Sequence, residues 1–256
     1  MQTMLTRQRK ELLLARLQED GQIVAKSLSE ELGLSEDTIR RDLRELAAEG
    51  LLERVHGGAL PLPPSPAMGD FAQRQQIGAD AKPAIGRAAA AMIAPGQVVF
   101  IDGGTTAVQL ARHLPPELAC TVVTHSPSIA VELVNHPHIE VILIGGRLFK
   151  HSIVAMGPAA LEAIAQIRTD IYFMGVCSLH PEQGISTGDF DEAGIKRAIS
   201  AMAQRTVVLA SPEKLDTASP YEIAPLSQVA GIVVQAGTPK SLLAPYRKMG
   251  IAVTLA

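Results

Sequence analysis

The sequence predicts an α/β protein in two parts: a short helical module closed by a hairpin, then a larger domain in which strands and helices alternate. Three observations carry that expectation. Leucines near helical spacing run through the first 50 residues. A proline-rich stretch, LPLPPSPAMGD at residues 60–70, interrupts any helical or strand period. Beyond it, short Val/Ile-rich runs alternate with Ala-rich stretches of helical period. At 256 residues, 47% hydrophobic and 19% charged, the chain can bury a sizeable core and exceeds one minimal domain. The expected division is a first domain over 1–60, a linker over 61–70 and a second domain over 71–256.

No run of 18 apolar residues occurs, and the first residues, MQTMLTRQRKELLLARLQEDG, alternate charge with Leu where a signal peptide has an uninterrupted apolar core. A cytoplasmic protein with no membrane partner is expected. Cys120 and Cys177 stand far apart with no CxxC partner, which argues against structural zinc or a disulfide framework and for two buried small hydrophobes. His136-Pro-His138 makes a poor metal site, because proline in a loop does not hold two imidazoles on one face. Neither metal nor cofactor is expected.

A first helix over about 4–19 carries Leu5, Leu12, Leu13 and Leu17 and stops at Asp20-Gly21. A second, shorter helix carries Leu28 and Leu32 on one face; Ser27 and Glu30 have capping-box spacing, and a start one or two residues earlier also fits. Gly33-Leu34 makes a tight turn. Ser35 then suits the N-cap of a third helix, whose first-turn Glu36 and Asp37 suit the positive end of the helix dipole. Two short helices joined by a turn containing Gly form a helix-turn-helix.

On a helical wheel Ile39, Leu43 and Leu46 define the buried face of the third helix. Arg40, Arg44 and Arg41 fall at roughly 100°, 140° and 200° from Ile39, on the outward side. Pairs Glu36–Arg40 and Asp37–Arg41 at i,i+4 would make this an ordinary solvated face. Bulk charge gives no help to a nucleic-acid reading: the chain carries a formal charge of −3, and residues 1–60 hold nine Lys/Arg against eleven Asp/Glu. Local geometry can replace it, because an outward helix with Arg in its front half can enter the major groove and offer bidentate donors to guanine edges or phosphates.

The next stretch, LLERVHGGALP, reads as a two-stranded ribbon turning at Gly57-Gly58, with Arg54 and His56 nearby. A basic hairpin after a helix-turn-helix is how a winged module reaches the phosphate backbone. With these residues in place, SEDTIRRDLRELAAEGLLERVHGGA resembles the signature of the DeoR family of bacterial transcriptional regulators. Ser35, Thr38, Ile39, Arg40, Arg41, Asp42, Leu43, Leu46, Arg54, His56, Gly57, Gly58 and Ala59 match it. The resemblance implies a winged helix-turn-helix bound to a double-stranded DNA operator. Ser35, Thr38, Arg40, Arg41 and Arg44 on the helix and Arg54, His56, Gly57 and Gly58 on the wing are the expected contacts.

In the second domain, VVFIDGGTTAVQLARHL reads as a buried strand (98–102), a Gly-Gly-Thr-Thr turn and a helix from about Thr106. Free backbone N–H groups, two hydroxyls and a positive helix end together suit an anion, although a plain strand-to-helix turn also needs small residues. Other strands end in Thr124-His125-Ser126, in Gly145-Gly146 and near Gly175. In a parallel sheet these carboxyl ends converge on one crevice. Lys196 and Arg197 on a later helix, and Lys214 in the loop after TVVLAS, are either countercharges or solvated surface residues.

This half also resembles the DeoR family, whose C-terminal sensor domain is similar in fold to ribose-5-phosphate isomerase and CoA-transferase-like proteins. The matching positions include Arg74, Lys82, Ile101 to Thr106, Gly145-Gly146, Asp170, Glu192, Lys196 and Lys214. The resemblance implies a phosphorylated sugar or sugar-acid effector held by Asp102, Gly103, Gly104, Thr105, Thr106, Thr124, His125, Ser126, Gly145, Gly146, Lys196 and Lys214. It implies a repressor of a sugar or sugar-acid operon, assembled as a dimer or tetramer. His125 stands where the family usually has Asn, and Ser211 where Asp commonly precedes Lys214 by three. Two rivals remain: an isomerase-like enzyme using Asp170, Glu192 and Lys196, and a DNA-binding protein whose second domain only oligomerises. An isomerase has no use for a helix-turn-helix, and IYFMGVCSL lacks the paired acids.

Overall fold

Leu13 and Leu17, one turn apart, are the buried stripe of the first helix, α1 (Thr6–Asp20). The computed structural model describes residues 6–20, 22–48, 52–55, 57–60 and 71–256, and the chain divides into compact units over 1–64 and 65–256. Leu5, His56 and the whole 61–70 stretch lie outside the described residues. After α1 come β1 (Ile23–Val24), α2 (Ala25–Leu32), α3 (Glu36–Ala48), β2 (Glu53–Val55) and β3 (Gly58–Leu60). Their core joins Leu13, Leu17, Ile23, Leu28, Ile39, Leu43, Leu46 and Leu52, so the buried face expected of α3 is the one that packs.

Two local expectations are corrected. The wing is a three-stranded antiparallel sheet in the order β1-β3-β2, because Ile23-Val24, too short to show a period, adds to β3 from far away in sequence. This pairing fixes Gly58: a Cβ there would meet the Ile23 carbonyl oxygen at 1.8 Å. The capping box at Ser27 does not form. Instead α2 begins at Ala25, whose N–H donates to the Gly57 carbonyl at 2.9 Å, so a tertiary hydrogen bond satisfies the donor a side-chain cap would have served.

The second unit begins with α4 (Phe71–Gln76) and α5 (Ala81–Ala90). It continues through β4 (Val98–Ile101), α6 (Thr105–Arg112), β5 (Cys120–Thr124), α7 (Pro127–Leu133) and β6 (Ile139–Leu143). A hairpin, β7 (Arg147–Phe149) and β8 (Val154–Met156), leads to α8 (Pro158–Ile164) and β9 (Thr169–Gly175). Next come β10 (Ser178–His180), β11 (Gly184–Thr187), α9 (Phe190–Met202) and β12 (Ala203–Leu209). The unit ends with β13 (Tyr221–Ala224), β14 (Gly231–Val234), α10 (Lys240–Lys248) and β15 (Ala252–Leu255). Seven strands form one sheet in the order β15-β14-β12-β9-β4-β5-β6, every neighbouring pair parallel. Strands β10, β11 and β13 form a separate antiparallel sheet.

The period of two along each strand decides which core a residue joins. Val99, Ile101, Ile171 and Phe173 pack with α5, α6 and α7; Phe100, Tyr172 and Met174 pack with α8, α9 and α10 on the other face. A sheet covered on both sides needs apolar residues at successive positions, hence VVFI and IYFM. The chain runs outward from β4 through β5 to β6, then returns to β9 on the other side of β4 and runs outward to β15. The strand order therefore reverses between β4 and β9, and their carboxyl ends flank the crevice where such folds bind ligands.

Candidate functional site

On the recognition helix, the Ser35 hydroxyl accepts from the Thr38 N–H at 3.2 Å and lies 2.8 Å from the Thr38 hydroxyl. These two polar groups, expected to face DNA, thus also cap α3. Arg40 donates to Glu36 at 2.7 Å. The second expected pair, Asp37 with Arg41, does not form; between exposed groups an ion pair gains little over water. Arg41 and Arg44 are exposed and have no partner among the described residues. Arg40, Arg44 and Arg54 line a cleft with Val55, Gly57 and Gly58, between the helix and the wing. Asp42, which the wheel places beside Ile39 and Leu43, is buried and takes a hydrogen bond from Arg9 Nη2 at 3.0 Å, fastening α3 to α1.

At the switch point a pocket is lined by Gly103 to Ala107 after β4, Gly175 to Cys177 at the carboxyl end of β9, the cations Arg74, Lys82, Lys196 and Lys214, the carboxylates Glu192 and Glu213, and Ile77 and Ser152. Helix α6 opens into it without a side-chain cap; its N-cap, Gly104, has φ +104. The buried Thr106 hydroxyl has no hydrogen-bond partner, and the Lys214 ammonium has none among the described residues. Burial first, then the Lys214 charge, lowers Lys82 to about 8. Burial likewise holds Lys214 below the ordinary lysine range, outweighing the opposing pull of Cys177 and Glu213, while Arg74 and Lys196 add to the lowering. Orphan helix N–H groups, an unpaired hydroxyl and four cations against the two carboxylates Glu192 and Glu213 form a surface that suits an anion.

Beneath the pocket lies a buried charge network centred on Asp102, 1% exposed. Its Oδ1 accepts from Gly103 N at 2.8 Å and faces His125 Nε2 at 2.9 Å. Its Oδ2 accepts from Tyr172 Oη at 2.9 Å, from Gly175 N at 3.0 Å and from Lys196 Nζ. Burial alone would raise this carboxyl, but the Lys196 ammonium and the His125 ring outweigh it and hold Asp102 well below the usual carboxylate range. Lys196 also donates to the Gly175 carbonyl at 2.8 Å and stands 3.9 Å from Glu192. Glu192 in turn accepts from Ser152 at 3.0 Å and from Thr187.

The expected effector residues therefore separate into three groups. Gly103, Gly104, Thr105, Thr106, Lys196 and Lys214 line the pocket. Asp102, Thr124, His125 and Ser126 lie beneath it, fully hydrogen-bonded: Thr124 donates to the Ile101 carbonyl at 2.7 Å, Ser126 to the Ile153 carbonyl at 2.9 Å, and His125 Nδ1 faces the Ala155 carbonyl at 3.0 Å. Gly145 and Gly146 follow the edge strand β6 and do not line the pocket. Arg74, Lys82, Ser152 and Cys177 line it without having been singled out as effector contacts. Cys120 and Cys177 are both buried as expected; Cys120 joins the core under α5 and α6, and Cys177 has its Sγ 3.2 Å from the Thr187 hydroxyl at the pocket wall. His136 Nε2 bonds the Pro115 carbonyl at 2.9 Å. The described residues contain no group of three or more His, Cys, Asp or Glu placed to hold a metal, and no described helix is long and apolar enough to cross a membrane.

A winged helix-turn-helix followed by a doubly wound domain with a cationic switch-point pocket defines a two-domain transcriptional regulator. Residues 9–62 match the DeoR-like helix-turn-helix domain and residues 78–236 the DeoR C terminal sensor domain. The chain belongs to the DeoR family of transcriptional regulators, whose partner is operator DNA. It is 39% identical to the HTH-type transcriptional regulator GlpR of Haloferax volcanii over 82% of each chain. It is 30% identical to the putative aga operon transcriptional repressor of Escherichia coli O157:H7, over 98% of this chain and 94% of that one. Among solved structures, ribose 5-phosphate isomerase a from Methanocaldococcus jannaschii aligns over 52% of each chain with a TM-score of 0.37 and 17% identity.

Proposed function

We propose that the protein is a cytoplasmic repressor of a sugar or sugar-acid operon, released from DNA when a phosphorylated sugar or sugar acid occupies the switch-point pocket. One observation carries the ligand class: the uncapped start of α6, the unpartnered Thr106 hydroxyl and the cations Arg74, Lys82 and Lys214 line the same pocket. A phosphate monoester supplies acceptors for the α6 N–H groups and the Thr106 hydroxyl, and negative charge beyond that of Glu192 and Glu213 for the four cations. The name of the aga operon repressor, similar over nearly the whole chain, supports the sign of regulation. Effector binding shifts a population between DNA-competent and DNA-incompetent arrangements. A symmetric dimer or tetramer presents paired wings to repeated half-sites, with the Pro-rich 61–70 stretch joining head to sensor.

Catalysis is not part of this reading. Asp170 sits at the amino end of β9, where its carboxylate accepts from Val98 N at 2.9 Å, at the opposite end of the strand from the pocket residue Gly175. Asp170, Glu192 and Lys196 thus do not converge as an acid–base set. The decisive experiment is a thermal-shift screen of phosphorylated sugars and sugar acids, followed by titration of the hits against a preformed DNA complex. Stabilisers that release DNA are expected; a screen without one leaves the second domain as an oligomerisation scaffold.

In the head, Arg41→Ala is expected to cost on the order of 1–3 kcal/mol in specific DNA binding with folding unchanged. Arg54→Ala should weaken binding uniformly and reduce the salt slope by about one unit. Binding isotherms over a salt series check both, and unaltered affinity in Arg41→Ala would remove that side chain from the groove. In the sensor, Lys82 loses its charge as pH rises through about 8, whereas a phosphate monoester is already fully ionised there. The effector Kd should therefore rise above that pH, approaching roughly tenfold per pH unit, and Lys82→Met should flatten the profile. Calorimetry from neutral to alkaline pH reads it.

A further inference from the structure

We infer that α4 reports occupancy of the pocket to the linker, with Arg74 as the residue that binds the anion and transmits the event. The inference rests on the pocket being the effector site. Helix α4 is the first described element after the 61–70 stretch, and it lies between the two matched family regions, 9–62 and 78–236. None of its residues is fully buried; half-buried Phe71 packs against the core shared with α5 and α6. What ties its carboxyl end down is polar. Arg74 Nη2 donates to the His151 carbonyl, in the turn between β7 and β8. Lys82 Nζ donates to the carbonyls of Arg74 and Ile77, closing the end of the helix.

Arg74 is incompletely satisfied there. Its Nε is buried with no hydrogen-bond partner, and the residue lines the same pocket as Thr106 and Lys214. A neutral carbonyl holds one nitrogen of a guanidinium whose fork suits two oxygens of a phosphate, and charge-assisted bidentate bonds are roughly twice as strong as neutral ones. An anion at the start of α6 therefore competes with the His151 carbonyl for Arg74. Once bound, it bridges Arg74 to α6 and pins α4 against that helix. Because α4 continues directly into the linker, its fixation biases the segment leading to the winged domain. The coupling is reciprocal, so DNA binding weakens the hold on the anion by the same factor.

Hydrogen exchange on the full chain, with and without inorganic phosphate, tests this. Phosphate should slow exchange at residues 104–108 and also at 71–77. In Arg74→Gln, compared at matched occupancy, slowing at 104–108 should persist while the response at 71–77 is lost; Arg74→Lys, which keeps the charge on a single nitrogen, should retain part of it. Circular dichroism confirms folding, and Arg74→Lys carries the comparison should the glutamine variant be misfolded. No protection at 104–108 in the parent protein removes the pocket reading itself, and this inference with it. Protection at 104–108 with 71–77 unchanged, or an undiminished 71–77 response in the variants, overturns the role of α4 alone.

Discussion

Asp102→Ala is expected to destabilise the larger unit by roughly 3–5 kcal/mol, the loss typical when one partner of a buried ion pair is removed. The carboxylate is the common acceptor for Lys196, Tyr172, Gly103 N and Gly175 N and stands against His125. Its removal leaves the Lys196 ammonium with Glu192 at 3.9 Å as its remaining carboxylate. Orphaned donors in a low-dielectric interior incur their full desolvation penalty. Asp102→Asn should lose less, because it keeps the shape and one acceptor. The folded carboxyl is held below its ordinary range, so its contribution is present above the unfolded carboxylate pKa of about 4 and is lost as pH falls below that. Urea unfolding of parent and variants across acid pH measures it. The variants should show a weaker acid dependence than the parent, and a loss under about 1 kcal/mol for the alanine variant would rule out this buried-pair account.

The charge network also explains which parts of the site were legible in the sequence. The α3 wheel could be read because local period and tertiary burial agree: Ile39, Leu43 and Leu46 are buried while Arg40, Arg41 and Arg44 point outward. The same wheel contained one overlooked signal. Asp42 falls on the buried side, and an acid there needs a cation, which Arg9 supplies. Strand β1 was invisible because two residues have no period and their pairing with Gly58-Ala59 spans the whole head. In the sensor, the Gly-Gly-Thr-Thr turn was readable because helix-start geometry is local. Whether a polar residue beside it faces ligand or interior is decided by neighbours distant in sequence. Asp102 and His125 turn inward because Tyr172, Lys196 and the Ala155 carbonyl meet them there. Arg74 and Lys82 reach the pocket from before the first strand of the domain, one from α4 and one from α5, helices whose own patterns give no sign of it.

Gly104→Val is expected to abolish the effector response while operator binding survives, giving a repressor that ligand does not release. Two effects combine at this position. Gly104 has φ +104, a region a β-branched residue enters at a cost of roughly 1–3 kcal/mol, and a branched side chain stands where the N–H groups at the start of α6 must approach an anion. Since strain could alter the turn by itself, Thr106→Val separates binding from folding. The Thr106 hydroxyl is buried and unpartnered, so replacing it with an isosteric methyl removes an unsatisfied group and should leave the empty protein as stable as the parent or slightly more so. Effector affinity should nevertheless fall by roughly tenfold, the worth of one hydrogen bond of about 1.5 kcal/mol. Thermal melts without ligand, followed by titration of effector against preformed DNA complexes, give the two readings independently. A stable Thr106→Val protein released at the parent's effector concentration would move the phosphate away from the start of α6, and a folded Gly104→Val protein released at that concentration would do the same for the turn.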